Sequence, residues 1–487
     1  MPESLRVLHV ASEMAPLIKS GGLADVAGAL PAALKRLGCD TRVVLPGYRG
    51  AIRKAQEHGV SWHAHPLIIE AGGVDHRVHV GTTVIDGVPV HLLAASELFD
   101  RDGLYGPAAS VDYDDNARRY AVFAKASLAL PGLLNWRPHV VHAHDWQAGL
   151  VPALLRRGFI NDLPATKSVF TIHNIAYQGS FPAHDLRLTG LDEGLFNPQE
   201  LAHWGRLNWL KAGVVFADRV TTVSPRYAEE IQMPEYGYGL EAVIAHHRCK
   251  LSGILNGIDA TTWDPATDPR IASAYSSADV SGKRACQMAL RKECHLDENP
   301  RACLMGVVSR LVEQKGLDLI LDAVEPYILD GRLQLVLLGS GDRHLEQRVH
   351  ALHARHPSQV FAWYGYNEAL AHRVIAGCDA LLVPSRFEPC GLTQMYAMRY
   401  GTLPIVRFTG GLADTVRDVA TGDGWGFTFG PVDLGHFSSV LDRACGMFEH
   451  YPSEWQQARL RAMQRDLSWD RAAQGYVDLY RRICTVD

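Results

Sequence analysis

The chain has 487 residues, of which 47% are hydrophobic and 21% charged, and its formal net charge is −5. This length predicts roughly two to four domains, and the scattered lysines and arginines argue against a nucleic-acid or membrane partner. The nine cysteines are dispersed without a Cys-x-x-Cys pair, so neither a disulfide framework nor a zinc cluster is expected. No apolar run approaches the ~20 residues of a membrane span. These features predict a cytoplasmic protein.

Short β-branched runs alternate with amphipathic helical patterns along the whole chain. The first half carries RVLHV, TRVVL, HVVHA, SVFTIH and RVTTV, and the second half carries LMGVVS, LQLVLLG, VFAWYG, DALLVP and LPIVRF. Continuous apolar strands between helices indicate parallel sheets covered on both faces, which is the doubly wound α/β class. The series restarts near residues 255–265, beside the stretch TTWDPATDP. We therefore expect an N-terminal domain of residues 1–257, a C-terminal domain of 258–468 and a final helical segment of 469–487.

Two nearly identical glycine turns follow strands in the two halves. KSGGLADV begins at Lys19, TGGLADTV begins at Thr409, and each opens a helical pattern. Glycines before a helix let a phosphate approach unpaired backbone N–H groups, and Lys19 adds a mobile positive charge. A common α/β turn remains the alternative for either stretch alone. Neither matches the Walker A or Gly-x-Gly-x-x-Gly pattern, which disfavours nucleoside-triphosphate hydrolysis and dinucleotide binding.

The second half also places charged residues after two strands. Arg310 and Lys315 follow LMGVVS, and two such cations suit a diphosphate, one as a planar fork and the other as a point charge. Glu388 follows DALLVPS and precedes the Pro-Cys-Gly stretch that ends at Gly391. A carboxylate in that position is suited to holding sugar hydroxyls beside a phosphate.

Histidines cluster in the first half, in HVVHAHDWQAGL and FTIHNIAYQG. His142 and His144 lie two apart at the end of a strand, and no further ligand has a persuasive spacing, so a zinc site is disfavoured. His173 and Asn174 are better interpreted as hydrogen-bonding groups of a polar pocket. We predict no metal site and no cofactor.

Together these segments resemble the bacterial glycogen synthase and plant starch synthase family. The matching stretches are KSGGLADV, HAHDWQAGL, TIHNIAYQG, LNGID, SRLVEQKGLDL, SRFEPCGLTQ and TGGLADTV, in family order from about residue 6 to 420. The resemblance implies the GT-B fold: two Rossmann-like domains that face each other across a cleft, with the last helix crossing back to the first domain. Ser20 stands where the family usually has threonine, and Tyr396 stands where many other retaining GT-B enzymes have a second glutamate.

The resemblance also implies a reaction and a set of site residues. The reaction is retaining transfer of glucose from ADP-glucose to the non-reducing end of an α-1,4-glucan, with no metal. The implied catalytic residues are Glu388 on the donor glucose, Arg310 and Lys315 on the diphosphate, His173 on the glucose, and Asp145. The implied substrate-binding residues are Lys19, Gly21, Gly22, Tyr105, Asn174, Asn256, Gln314, Cys390, Gly391, Leu392, Thr393, Gly410 and Gly411.

Three alternatives remain open from the residues alone. The donor choice between ADP-glucose and UDP-glucose cannot be derived from these motifs, so a UDP-glucose-using glucan synthase is one alternative. A UDP-sugar 2-epimerase would share the fold and nucleotide site, but the glycine turns and the stretch after Glu388 speak against it. A glucan-binding scaffold without activity is the third, and the intact Lys19, Arg310, Lys315 and Glu388 disfavour it.

Overall fold

The computed structural model describes residues 4–107, 111–159 and 163–485. They divide into two compact units. The first unit contains the described residues up to Asn256 together with those from Trp469 onward, and the second unit runs from Gly257 to Ser468. In the described residues no helix is long and apolar enough to cross a membrane.

The first unit is built on a sheet of ten strands among its described residues, in the order β13-β12-β8-β7-β1-β2-β6-β5-β3 with β4 beside β5. The seven strands from β13 to β6 are parallel, and β3, β4 and β5 add antiparallel pairs at one edge. These strands are β1 (Arg6–Val10), β2 (Asp40–Pro46), β3 (Ser61–Trp62), β4 (Leu67–Glu70), β5 (Asp75–Ile85), β6 (Val88–Ala94), β7 (Val140–His144), β8 (Lys167–Ile172), β12 (Arg219–Thr222) and β13 (Leu251–Gly253). A small antiparallel sheet contains β9 (Ser180–Phe181), β10 (Ala202–His203) and β11 (Arg206–Asn208).

Helices connect these strands. They are α1 (Gly22–Arg36), α2 (Arg49–Glu57), α3 (Ser96–Phe99), α4 (Asn116–Leu133), α5 (Leu150–Arg156), α6 (Leu186–Thr189), α7 (Trp209–Phe216), α8 (Pro225–Glu230) and α9 (Glu241–His246). The apolar stripe of α1 is buried, including Leu23, Val26, Leu30 and Leu34. Strand β7 is buried at every residue, because helices cover both faces of a parallel sheet.

The second unit has one fully parallel sheet in the order β16-β15-β14-β17-β18-β19. Its strands are β14 (Cys303–Val308), β15 (Leu333–Gly339), β16 (Val360–Tyr364), β17 (Ala380–Val383), β18 (Leu403–Arg407) and β19 (Phe427–Phe429). Its helices are α10 (Ser281–Glu293), α11 (Leu317–Ala323), α12 (Glu325–Leu329), α13 (Arg343–Arg355), α14 (Glu368–Gly377), α15 (Thr393–Arg399), α16 (Gly410–Thr415), α17 (Leu434–His450) and α18 (Pro452–Met463).

The last helix, α19 (Trp469–Thr485), belongs to the first unit. Its buried face includes Ala473, Tyr476, Val477 and Tyr480, which share a hydrophobic core with α1, β1 and β7. The chain therefore leaves the first unit once and returns to it at the end.

Each unit has one point where the strand order reverses. In the first unit the chain proceeds from β1 to β2 on one side and later from β7 to β8 on the other. In the second unit β14 leads to β15 on one side, and β17 leads to β18 on the other. Ligands of open α/β sheets bind at such switch points, beyond the carboxyl ends of the strands. The loops after β1, β7, β14 and β17 are therefore the places to look for a site.

Candidate active site

At the switch point of the first unit, Glu13 joins two segments that are far apart in the sequence. This side chain follows β1 and is buried. The backbone N–H and the hydroxyl of Ser20 both donate to it, the hydroxyl at 2.6 Å, and the N–H of Gly21 donates at 3.3 Å. From another loop, the Tyr105 hydroxyl donates to the Glu13 Oε1 at 2.5 Å. Glu13 thus holds the first glycine turn beside Tyr105.

The glycines of the first turn are not required by the protein's own packing. Neither Gly21 nor Gly22 has a left-handed φ, and a Cβ built on either would meet no atom within 4 Å. Such space suits a ligand that approaches the backbone closely. Two N–H groups of this turn are nevertheless taken by the buried glutamate, which the sequence did not predict. Lys19, beside the turn, lies 2.6 Å from the Asp25 carboxylate at the surface.

Asp145, directly after β7, has a strained backbone. Its φ of 56° and ψ of −178° fall in a region that is essentially restricted to glycine. Its Oδ1 accepts the backbone N–H of His173 at 2.7 Å. Burial raises the pKa of the Asp145 carboxyl to about 7, and hydrogen bonds from the backbone of His173 and Asn174 oppose part of that rise. Asp145 is therefore a carboxyl group that titrates near neutral pH.

His173 stands at the end of a row of buried imidazoles. Its Nε2 lies 3.0 Å from the Nδ1 of His144, whose Nε2 lies 3.2 Å from the Nδ1 of His9. Burial lowers the pKa of His9 and of His173 to about 3, and that of His144 well below its usual value. All three rings are therefore neutral at physiological pH. The row fixes the orientation of the His173 imidazole at the carboxyl end of β8.

Three histidines are close enough to be considered as metal ligands. His9, His142 and His144 each have a ring nitrogen within 4.8 Å of the other two. Both nitrogens of His142 already bond to the protein, Nδ1 with the Tyr480 hydroxyl at 2.7 Å and Nε2 with the Thr171 hydroxyl at 2.6 Å. A metal would have to displace these bonds, so the residues fit a hydrogen-bond network better than a metal site.

Tyr105 and Asn256, also predicted from the sequence, occupy different surroundings. The Tyr105 hydroxyl lies 2.9 Å from the Ser12 Oγ, and it also donates a hydrogen bond to the Glu13 carboxylate. Burial, followed by the Glu13 charge, raises the pKa of Tyr105 well above its usual value, so its hydroxyl stays protonated. Asn256 is buried, and its Oδ1 has no hydrogen-bond partner in the part of the chain that the structure describes. An unpaired buried oxygen of this kind suits a ligand contact.

At the switch point of the second unit, Lys315 and Glu388 form an ion pair. The Lys315 Nζ lies 2.5 Å from the Glu388 Oε2, and the Ser385 hydroxyl donates to the same oxygen at 2.9 Å. Gly316 permits this approach: its φ is +69°, and a Cβ there would lie 2.2 Å from the Pro384 carbonyl oxygen. The sequence did not single out Ser385, although it follows β17 in the same way as Glu388.

Two other predicted residues follow β14. The Arg310 side chain is exposed, and within the described residues its guanidinium forms no ion pair or hydrogen bond. The Gln314 side-chain amide donates to the Phe387 carbonyl at 3.2 Å, and the Gln314 backbone carbonyl accepts the Arg386 backbone N–H at 2.8 Å. Gln314 therefore fastens the loop after β14 to the loop that carries Glu388, whereas Arg310 remains available to a ligand.

The segment after Glu388 turns sharply into α15. Cys390 is buried, Gly391 has a φ of +73°, and Leu392 and Thr393 are half-buried at the start of the helix. The Gln394 amide donates to the carbonyls of Cys390 and Gly391, each at 3.0 Å. This turn is thus held in place by the helix that follows it.

The second glycine turn supports the Glu388 loop. The Gly411 N–H donates to the carbonyls of Glu388 at 3.1 Å and Pro389 at 3.2 Å. A Cβ on Gly411 would lie 2.2 Å from the Cys390 carbonyl oxygen, and Gly410 has a φ of +43°. The resemblance between the two turns suggested that this N–H is open to a phosphate. Instead, the N–H of Gly411 is bonded within the protein.

Sequence reasoning missed Glu13, Ser385 and His9. Glu13 carries the same signal that identified Glu388, since it is an acidic residue directly after an apolar strand. His9 lies within β1 and gave no signal, because a single histidine in a buried strand is usually a core residue.

Two Rossmann-like units, with polar groups at each switch point and a cation–carboxylate pair at one of them, are typical of a GT-B glycosyltransferase. Comparison with known proteins agrees. Residues 6–246 match the family model of the starch synthase catalytic domain, and residues 292–430 match that of the group 1 glycosyl transferases.

Similar proteins align with the chain over nearly its whole length. Glycogen synthase of Anaeromyxobacter sp. (strain Fw109-5) is 47% identical over 98% of this chain and 99% of the relative. Glycogen synthase of Paracoccus denitrificans (strain Pd 1222) is 46% identical over 98% of each. The catalytic domain of Starch Synthase IV from Arabidopsis thaliana, solved bound to ADP and acarbose, is 35% identical with a TM-score of 0.90, covering 99% of this chain and 100% of that one. The chain belongs to the glycogen synthase family, and the predicted fold class and enzyme class are confirmed.

Proposed function

We propose that this enzyme transfers glucose from ADP-glucose to the non-reducing end of an α-1,4-glucan, with retention of configuration. The observation that carries the proposal is the Lys315–Glu388 pair at the switch point of the second unit. The Arabidopsis relative bound to ADP and acarbose supports an adenine nucleotide and a sugar ligand.

The second unit is proposed to hold the donor. Arg310 is exposed after β14, and its planar guanidinium is suited to bind the diphosphate through two parallel hydrogen bonds. Lys315 adds a point charge. Glu388 accepts hydrogen bonds from the hydroxyls of the donor glucose. The segment from Cys390 to Thr393, together with the second glycine turn, shapes the same site.

The reaction breaks the bond between glucose C1 and the β-phosphate oxygen of ADP. The acceptor's 4-hydroxyl oxygen bonds to C1 on the same face, and its proton passes to the departing phosphate oxygen. Positive charge develops on the sugar ring and negative charge on the phosphate. Fixed cations beside the phosphate stabilise the second charge, and a single preorganised contact of this kind is worth about 3–4 kcal/mol in other enzymes.

The first unit is proposed to contribute groups to the reacting sugars. His173 is neutral because burial lowers its pKa to about 3, so it can bond a glucose hydroxyl without repelling the positive ring. Asp145, Asn174, Tyr105 and Asn256 complete this polar set. Lys19 and the open side of the Gly21–Gly22 turn are proposed to meet the donor's phosphates.

We also propose that the enzyme works in the cytoplasm. All nine cysteines are free thiols, and seven of them are buried. Unpaired cysteines in this number are typical of proteins from reducing compartments.

Incorporation of labelled glucose into glycogen tests the proposal. We expect incorporation from ADP-glucose that exceeds incorporation from UDP-glucose, and loss of both in Glu388→Ala. Glu368→Ala, which changes an exposed residue at the start of α14 in the same unit, is the matched control. A protein that incorporates nothing from ADP-glucose contradicts the proposal. Trapping of a covalent glycosyl-Asp or glycosyl-Glu species would contradict the same-face mechanism.

A further inference from the structure

Two bulky aromatic residues in the first unit have left-handed backbones and exposed side chains. Trp204 has a φ of +50° and is 79% exposed, and Tyr238 has a φ of +50° and is 43% exposed. Left-handed conformations are rare for large side chains and cost free energy. Strain that exposes an aromatic ring, instead of burying it, indicates a function for that ring.

Trp204 lies in the two-residue turn between β10 and β11. The strands pair at His203 and Arg206, so Trp204 and Gly205 form the turn, and both have positive φ. Asn-Gly is the preferred sequence for such a turn. A tryptophan in the first position is therefore not explained by the needs of the turn.

Trp204 and Tyr238 are neighbours on the surface. A Cβ on Gly239 would lie 2.3 Å from the Cη2 of Trp204, so the indole rests on the glycine that follows Tyr238. The His203 ring stacks on the indole at 4.5 Å between centroids and orients it. Tyr177 is 57% exposed and adjoins Gln178, whose side-chain amide donates to the Tyr238 carbonyl at 3.0 Å. Burial, and then Tyr177, raise the pKa of the Tyr238 phenol.

The segments that carry these rings are tied by hydrogen bonds and adjoin the candidate active site in sequence. The Gln178 amide donates to the Tyr238 carbonyl at 3.0 Å and accepts from the Asn208 amide at 2.7 Å. The Tyr177 N–H donates to the Asn174 carbonyl at 3.2 Å. The rings thus begin three residues beyond Asn174, and binding to them requires little ordering of the loop.

We propose that Tyr177, Trp204 and Tyr238 form a surface that binds an α-1,4-glucan chain as it enters the site at Asn174. The C–H face of a glucose ring stacks on an aromatic face, while its hydroxyl rim stays in water. Exposed aromatic side chains that cluster beside a site mark a binding surface. The proposal rests on the proposed function, which makes a glucan the acceptor.

Binding of maltoheptaose by the full chain, measured by calorimetry without donor, tests this surface separately from catalysis. We expect Trp204→Asn and Tyr238→Asn each to weaken binding about tenfold, and Trp204→Tyr to retain most of it. Trp62→Asn is the matched control, because Trp62 is 45% exposed on β3, which belongs to a different sheet from β10 and β11. The melting temperature of Trp204→Asn should equal or exceed that of the parent, because asparagine favours the turn.

Binding of the parent and Trp204→Asn with equal affinity overturns the proposal, as does a parent that does not bind maltoheptaose. Labelled transfer from ADP-glucose in the same preparations tests the proposed function independently. Loss of binding in Trp204→Asn supports the surface even if another donor proves to be the substrate. If Trp204→Asn binds glucan normally and transfers glucose normally, the proposed function stands and the proposed binding surface is refuted.

Discussion

Lys315 and Glu388 are separated by 73 residues in the sequence, yet their charged atoms lie 2.5 Å apart. The lysine follows β14 and the glutamate follows β17, the two strands where the order of the second sheet reverses. Glu388 is buried, and the attraction between the two groups is stronger there than in water. The pair therefore fixes the orientation of both side chains before a ligand binds.

Removal of the lysine alone should destabilise the second unit. Among the described residues, Lys315→Met leaves the side chain of the buried Glu388 with the Ser385 hydroxyl as its one hydrogen-bond partner. We expect a loss of about 3 kcal/mol in unfolding free energy. Lys315→Met/Glu388→Gln should recover most of that loss, since no unpaired charge remains. Urea unfolding followed by circular dichroism measures both. Arg373→Met, which breaks an exposed pair with Glu293, should cost less than about 1 kcal/mol. Equal losses in the single and double variants would contradict the prediction.

Asp145 should make stability depend on pH. Burial raises its pKa from the ordinary value of 3.8 to about 7 in the folded protein. Between these two pH values the folded state therefore binds a proton that the unfolded state has lost. The contribution to stability is full below about pH 4 and is lost as the pH rises through 7. Asp145→Asn keeps an acceptor for the His173 N–H and cannot ionise. The variant should therefore gain stability relative to the parent from pH 4 to pH 8, by at most about 4 kcal/mol. Denaturant unfolding across this range measures the difference, and a constant difference would refute the raised pKa.

Glu13 should control the order of the first glycine turn. Glu13→Gln replaces an acceptor with a donor opposite the N–H groups of Ser20 and Gly21, so one of these bonds is lost at a cost of about 1–3 kcal/mol. We expect faster amide hydrogen exchange in the peptide that contains these residues and a higher KM for the nucleotide sugar. Glu57→Gln, at the exposed end of α2, is the control. Unchanged exchange in Glu13→Gln would show that the carboxylate does not hold the turn.

The architecture was predictable because buried parallel strands appear as continuous apolar runs. The two glycine turns were correctly expected to open helices, which begin at Gly22 and Gly410. Contacts between distant segments were not predictable. The bond from Tyr105 to Glu13 spans 92 residues, and the row of histidines that ends at His173 depends on the register of β1, β7 and β8.

Unusual backbone conformations could not be predicted from the sequence either. The glycine-like backbone of Asp145 and the left-handed backbone of Trp204 are imposed by the surrounding structure, and neither residue type indicates such a conformation.

The same substitution should affect the two glycine turns through different physical causes. Gly21→Ala places a methyl group where no atom lies within 4 Å, and Gly411→Ala places one 2.2 Å from the Cys390 carbonyl oxygen. We therefore expect Gly21→Ala to melt at the temperature of the parent and to lose activity at least tenfold, because the methyl occupies space that the donor phosphate needs. Gly411→Ala should melt several degrees lower and lose activity through displacement of Glu388. Gly430→Ala, also with open space around its Cβ, is the control in the second unit. Calorimetry with the labelled-transfer assay separates the two effects. Full activity in Gly21→Ala would mean that no ligand approaches the first turn, and an unchanged melting temperature in Gly411→Ala would mean that the second turn does not support the Glu388 loop.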